Sequence, residues 1–260
     1  MIATLLQRWR QGFRTGKFPA EAPVMPDRFQ GLPKLDATAC CGSCGDCVGA
    51  CPVGALTHDA QHGLQLDTGR CLFCGDCARS CSTGAITFTR DHRLAARQRE
   101  ALVIGSAWAK ERDLLDRRIQ GLFGRSLRLR QVSAGGCNAC EADANVLNTL
   151  AFDLGRFGIQ FVASPRHADG LLVTGPISQN MREALLKTYA AVPAPKIVIA
   201  SGACAIAGGP YRDHPETCNG VSDLLPVDLF VPGCPPHPFT LLHGLLGLLG
   251  RLADEDRAVR

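Results

Sequence analysis

The chain has 260 residues, 46% of them hydrophobic and 20% charged, enough to bury a core and to divide into two domains. Its formal net charge of +4 is too small and too spread out to argue by itself for a nucleic-acid protein, so no nucleic-acid partner is expected and partners are to be read from local patches. Fourteen cysteines fit either a disulfide scaffold or thiolate ligands kept reduced.

The opening MIATLLQRWRQGF has no uninterrupted apolar core and no small-residue cleavage site, and Arg8-Trp9-Arg10 is not a twin-arginine signal. The chain is therefore expected to stay in the cytoplasm with its thiols reduced. Residues 2–14 place Ile2, Leu5, Leu6, Trp9 and Phe13 on one helical face, with Arg8, Arg10 and Arg14 elsewhere. Two uses of such a helix stay open, docking on a protein partner and lying at a membrane surface. Pro19, Pro23, Pro26 and Pro33 make residues 15–36 an extended arm without elements, so residues 1–36 form one unit of helix and arm.

Residues 37–90 hold an internal repeat. Cys41, Cys44, Cys47 and Cys51 are answered thirty residues later by Cys71, Cys74, Cys77 and Cys81, and Gly54-Ala55-Leu56-Thr57 by Gly84-Ala85-Ile86-Thr87. Each unit reads as a cysteine-rich loop and short helix ending in a small strand. Residues 91–126 read as a basic helical linker; over 90–130 there are eleven Lys and Arg against five Asp and Glu. This run suits a solvated helix face or a strip docking on an acidic partner.

From 127 to 260 apolar strands alternate with helices: LRLRQVSA, a helix from about 141, GIQFVAS, DGLLVTG, the helix SQNMREALLKTYAAV, KIVIAS, VDLFVPG and a last helix around 238–252. That order predicts an open parallel-sheet α/β domain of the flavodoxin-like kind, following a duplicated ferredoxin-like domain. The longest apolar run, Phe239 to Gly250, is broken by His243 and falls short of the roughly 20 residues that span a bilayer.

Each repeat spells C-x2-C-x2-C-x3-C, the bacterial ferredoxin run, in which three close thiolates take corners of one cubane and the fourth crosses to the other. Cluster 1 is then expected on Cys41, Cys44, Cys47 and Cys81, and cluster 2 on Cys71, Cys74, Cys77 and Cys51. Gly42, Gly45 and Gly75 lie in the x2 gaps, where the loop turns tightly. Zinc also accepts C-x2-C, but structural zinc sites join distant pairs and do not use three cysteines in seven residues. Pro52 follows Cys51 while Ser82 follows Cys81, a departure that removes no ligand. Cys40 lies outside the period and reads as a spare thiol.

A second constellation has Cys137 and Cys140 in AGGCNACE, Cys204 in SGACA and Cys234 in PGCPP. Each group follows a predicted strand, so all four thiols are expected along the carboxyl edge of the sheet, where open α/β folds place ligands. A third [4Fe–4S] cluster is the first reading and zinc the rival. Cys218 follows no strand and is set aside as a buried or free thiol. His58, His62, His92, His167, His214 and His237 have no ligand spacing.

The segment from about 131 to 250 resembles the small subunit of membrane-bound, energy-converting [NiFe]-hydrogenases and the complex I subunit that carries the last cluster. GGCNACE, FVASPRHADGLLVTGPISQNM, SGACAIAGG and VDLFVPGCPPHP carry the likeness. Complex I subunits would have adjacent cysteines at the first position, whereas Cys137 and Cys140 are separated by two residues, as in hydrogenases. The N-terminal part resembles the two-cluster ferredoxin subunit of formate hydrogenlyase and complex I, here fused to the other.

The resemblance implies an electron wire through three [4Fe–4S] clusters. Its partners would be a hydrogenase-type large subunit carrying nickel and iron, membrane-arm subunits, and an upstream donor such as ferredoxin or a formate or CO dehydrogenase module. It also implies a peripheral position on the cytoplasmic face of the inner membrane. Every paired cysteine is assigned, so no complete catalytic centre is expected in this chain. The alternative is the matching subunit of a complex I-like quinone oxidoreductase; a free-standing carrier would have no use for the arm and α/β domain. Glu141, beside Cys140, has two readings, a proton relay near the partner's active centre and an ordinary helix-start carboxylate.

Overall fold

The computed structural model describes residues 2–42, 44–105 and 126–252. The amphipathic run forms helix α1 (Ile2–Gln11), shorter than its apolar pattern because Gly12 takes a left-handed φ of +63° and closes the last turn. No residue of α1 is buried, and Ile2, Leu5, Trp9 and Phe13 stand exposed. The arm is fastened to the C-terminal half: Gly16 N–H donates to the Ala151 carbonyl at 2.8 Å, and the Arg156 guanidinium donates to the Phe18 carbonyl at 2.8 Å. Phe18 is buried in the same core as Leu127 and Leu154. Although its prolines suggest a run without elements, the arm ends in strand β1 (Pro33–Leu35), which Pro33 can open because a strand's first residue need not donate.

The repeats fold alike. Helix α2 (Asp46–Gly49) precedes β2 (Leu56–Asp59), and α3 (Asp76–Ser80) precedes β4 (Ile86–Phe88). β4 pairs antiparallel with β1, and β2 with β3 (Gly63–Asp67). Leu35, Ala55, Leu56, Leu64, Leu66 and Ile86 form a small core under the cysteines.

The basic stretch departs from its helical reading where it is described. Residues 100–102 make one 3-10 turn and strand β5 (Val103–Gly105) joins β3 antiparallel, giving the order β2-β3-β5; residues 106–125 lie outside the described residues. Burial decides it: Leu102 and Ile104 point into cores, and β-branched Val103 and Ile104 suit a pleated chain. Ala96 forms an antiparallel bridge to Phe230, and Leu102 packs with Ile206 and Val198, so the two halves share a core.

Strands β6 (Leu127–Ser133), β7 (Ile159–Phe161), β8 (Gly170–Thr174), β9 (Ile197–Ser201) and β10 (Leu229–Val231) form one parallel sheet, ordered β10-β9-β8-β6-β7. This is the flavodoxin-like order, with its switch point between β6 and β8. Alternate residues serve opposite faces: Leu127, Leu172, Ile197 and Ile199 meet helix α7 (Pro238–Leu248), while Leu171, Val173 and Val198 meet α5 (Gln179–Ala191) and α6 (Ala203–Ala207). Helix α4 (Ala139–Val146) follows β6. No helix among the described residues is long and apolar enough to cross a membrane.

Leu172→Ala empties a site with no solvent exposure and is expected to cost about 2–5 kcal/mol in chemical denaturation. Leu5→Ala, at a residue 68% exposed, should stay within about 0.5 kcal/mol. Equal effects would contradict the placement of α1 outside the core.

Candidate metal centres

Two of the expected groups of four cysteines are brought together whole and the third in part. Centre A lies in the first repeat, where Cys44 and Cys47 line a recess with Cys40, Gly42, Gly45, Val48, His58 and Leu64. Cys47 is buried, and its thiol is raised by burial first and then by the neighbouring Cys81 and Cys40. Cys81 hydrogen-bonds the Thr83 hydroxyl, which pulls its own thiol down. Cys41 and Cys44 form a disulfide, which has to be reduced before either can ligate. The structure thus places Cys40, set aside by its spacing, and His58 on the recess, while Cys41 stands exposed and neither it nor Cys81 lines the recess.

Centre B is more closed. Cys51, Cys71, Cys74 and Cys77 line one small cavity whose other walls include Val53, Leu56, Leu66 and Phe88. The sulfur of Cys51 accepts from Ala55 N–H at 3.2 Å and that of Cys71 from Phe73 N–H at 3.3 Å. The loop reaches this shape through Phe73 and Gly75, both at positive φ (54° and 76°). Burial pushes the Cys71 thiol up to about 12 and that of Cys77 to about 11.

Centre C occupies the carboxyl edge of the parallel sheet. Cys137 and Cys140 follow β6, Cys204 sits in α6 after β9, and Cys234 follows β10; the charges of Cys137, Cys204 and Cys234 all bear on Cys140. Burial raises Cys204 to about 11, with Cys234 and Cys137 adding to it, and raises Cys234 and Cys140 as well. Gly202, at φ +93°, is the hinge of the site: a Cβ there would lie 2.6 Å from Cys140 Sγ. Glu141 is buried at the switch point, where its carboxylate accepts from the Thr174 hydroxyl at the end of β8. Thr174 carries no sequence signal, since its partner is 33 residues away. Cys218 instead pairs its backbone with Ile177 and packs on an apolar core.

The donor sets of centres B and C fit iron–sulfur clusters, and centre A fits one only with its Cys41–Cys44 disulfide opened. Soft sulfur converges in apolar surroundings, with backbone N–H groups facing thiolate charge at centre B. Among the described residues no three His, Cys, Asp or Glu side chains are drawn tightly enough to hold a single metal ion. Thiolates of a cubane each take a different iron and stand wider apart.

Gly202→Ala should abolish iron at centre C and leave the other two centres loaded, read by iron and labile-sulfide content. In iron-free, reduced protein the raised thiols favour the protonated folded form, so their stabilisation is full below the ordinary thiol value of 9.0 and is lost as pH rises toward about 12. Alkaline denaturation of the iron-free chain measures it; a midpoint that does not fall above pH ~9 would contradict the burial of Cys71 and Cys77.

Comparison with known proteins finds a 4Fe-4S domain followed by a second family domain. Residues 137–248 match the family described as NADH ubiquinone oxidoreductase, 20 kDa subunit, and residues 40–85 match the 4Fe-4S dicluster domain. The "Probable membrane-bound hydrogenase subunit mbhJ" of Pyrococcus furiosus is 44% identical over 55% of this chain and 87% of its own length. Formate hydrogenlyase subunit 7 of Escherichia coli is 42% identical over 52% of both chains. An NADH-quinone oxidoreductase subunit of Roseiflexus castenholzii is 42% identical over 48% of this chain and 47% of its own. The chain thus spans about half the length of these last two relatives. A chain of the membrane-bound sulfane sulfur reductase, an archaeal respiratory membrane complex, aligns with TM-score 0.46 and 30% identity over 53% of this chain and 76% of that one. With most of mbhJ covered at this identity, the chain belongs to the NADH ubiquinone oxidoreductase 20 kDa subunit family and carries a 4Fe-4S dicluster domain ahead of the family domain.

Proposed function

We propose that the chain is the iron–sulfur electron-transfer subunit of a membrane-bound [NiFe]-hydrogenase complex. In this reading Cys41, Cys44, Cys47 and Cys81 hold one [4Fe–4S] cluster, Cys51, Cys71, Cys74 and Cys77 a second, and Cys137, Cys140, Cys204 and Cys234 a third. A bound [4Fe–4S] cluster supplies one-electron storage. The chain's own residues supply apolar walls that keep water out, N–H groups that balance thiolate charge, and the spacing between centres.

The observation that carries the reading is the contact between the loop of centre B and the helix of centre C. Gly69, two residues before Cys71, lies so close to Ile206, two residues after Cys204, that a Cβ would sit 2.9 Å from its Cγ2. On the other side Gln30 covers Gly75 of centre B, and the neighbouring Phe29 ring meets that of His237, three residues past Cys234, at 5.2 Å. Centre B is therefore the natural neighbour of centre C, and centre A the outer end facing a donor such as ferredoxin or a formate or CO dehydrogenase module.

Hydrogen chemistry in this account belongs to a separate large subunit, because every C-x2-C pair here is assigned to a centre. The spacing of Cys137 and Cys140 favours this partner over the quinone-reducing one. The 42% identity to a quinone oxidoreductase subunit keeps a complex I-like role as the second reading. Peripheral attachment on the cytoplasmic face of the membrane falls to α1, whose apolar stripe is uncovered and flanked by Arg8, Arg10 and Arg14.

The test is to isolate the native complex anaerobically and measure nickel together with hydrogen-dependent dye reduction. Nickel with hydrogen activity supports the hydrogenase reading, whereas iron without either moves the chain to the quinone reductase. Deleting residues 2–11 should release the chain from the membrane fraction with its iron intact; retention would remove α1 as the attachment.

A further inference from the structure

Five charged side chains gather where the loop of centre B meets the α/β domain: Asp67 and Arg70 ahead of Cys71, Arg99 from the connecting stretch, and Arg212 and Asp213 beyond α6. Four of them cancel in pairs. Arg99 Nη1 and Nη2 meet the two Asp67 oxygens at 2.8 and 2.5 Å, and Arg212 Nε meets Asp213 at 3.3 Å. Arg70 is left over. Among the described residues no ion pair forms to it, and its Nε is buried without a hydrogen-bond partner.

The position of this cation is specific. Arg70 immediately precedes Cys71, and its Nη2 reaches to 4.0 Å from where a Cβ of Gly54 would lie, three residues past Cys51. It therefore spans two segments that supply thiols to centre B. A guanidinium cannot shed its proton, and a partly buried cation without an answering anion is costly. The missing anion is on hand if the thiolates of centre B hold a cluster, whose negative charge grows by one on reduction. The repeat provides a contrast, for the position thirty residues earlier is Cys40 and offers centre A no such cation.

We propose that Arg70 is the charge partner of the cluster in centre B and holds its reduction potential above that of centre A, so that electrons entering at centre A settle next to centre C. Arg70 makes no bond to iron in this role. It acts through space, by favouring the form of the site that has taken up one electron. The inference rests on the reading of centre B as a [4Fe–4S] site.

The experiment is an EPR-monitored redox titration of the full chain, reconstituted anaerobically, as wild type, Arg70→Gln and Arg70→Lys, with iron counted in each. The expected result is a lower midpoint for centre B in Arg70→Gln, recovery toward wild type in Arg70→Lys, and unchanged midpoints for centres A and C. Full iron with an unmoved midpoint in Arg70→Gln overturns the inference and leaves the site reading standing; a wild-type chain with no cluster in centre B overturns both. Should Arg70→Gln lose the iron of centre B, Arg70→Met takes its place as an uncharged variant of similar length. A fall in the centre B midpoint there supports the role, and no change overturns it.

Discussion

A side chain at position 69 would press on three others. Leu102, Ile206 and Arg99 all stand within 3.0 Å of where its Cβ would be, and that close approach presses the loop of Cys71 onto the helix of Cys204. Much of the remaining architecture serves this contact. Leu102 enters the α/β core, Ala96 bridges to Phe230, and Phe18 anchors the arm in the opposite layer. Electron transfer between centres depends steeply on distance, so a relay needs its two halves locked together. The shared core does what a flexible linker between two domains would not.

Burial of the thiols sets the second constraint. Apolar walls push Cys71, Cys77 and Cys204 well above the usual thiol range, so an empty centre B or C holds protons that metal must displace. The same walls give a loaded centre a low-dielectric setting in which neighbouring charges and N–H groups have large effects. Centre A differs: its recess reaches Cys40 and His58, and Cys81 keeps a hydroxyl partner instead of a dry one. The two repeats, alike in spacing, thus sit in different electrostatic surroundings.

The cysteine periods were legible because cluster-binding loops are local, each a matter of a few residues and a glycine. The parallel sheet was legible too, since strands such as Leu171-Leu172-Val173 and Ile197-Val198-Ile199 are apolar on both faces. Strand β5 was not, because an arginine-rich stretch reads as a solvated helix and only pairing with β3, far away in the chain, makes it a strand. The end of α1 rests on a single glycine, and α6 is too short to leave a periodic trace. Thr174 and Gly69 matter through partners distant in sequence, and such pairings are invisible in a single chain.

In the proposed relay three groups of four cysteines hold three cubanes in one chain. Mössbauer spectroscopy of the full chain, reconstituted with isotopically labelled iron and accompanied by metal analysis, tests it most directly. Three [4Fe–4S] spectra per chain and no zinc are expected, with one lost when Cys204 is replaced by Ala. Two cubanes with zinc at Cys137, Cys140, Cys204 and Cys234 would contradict it.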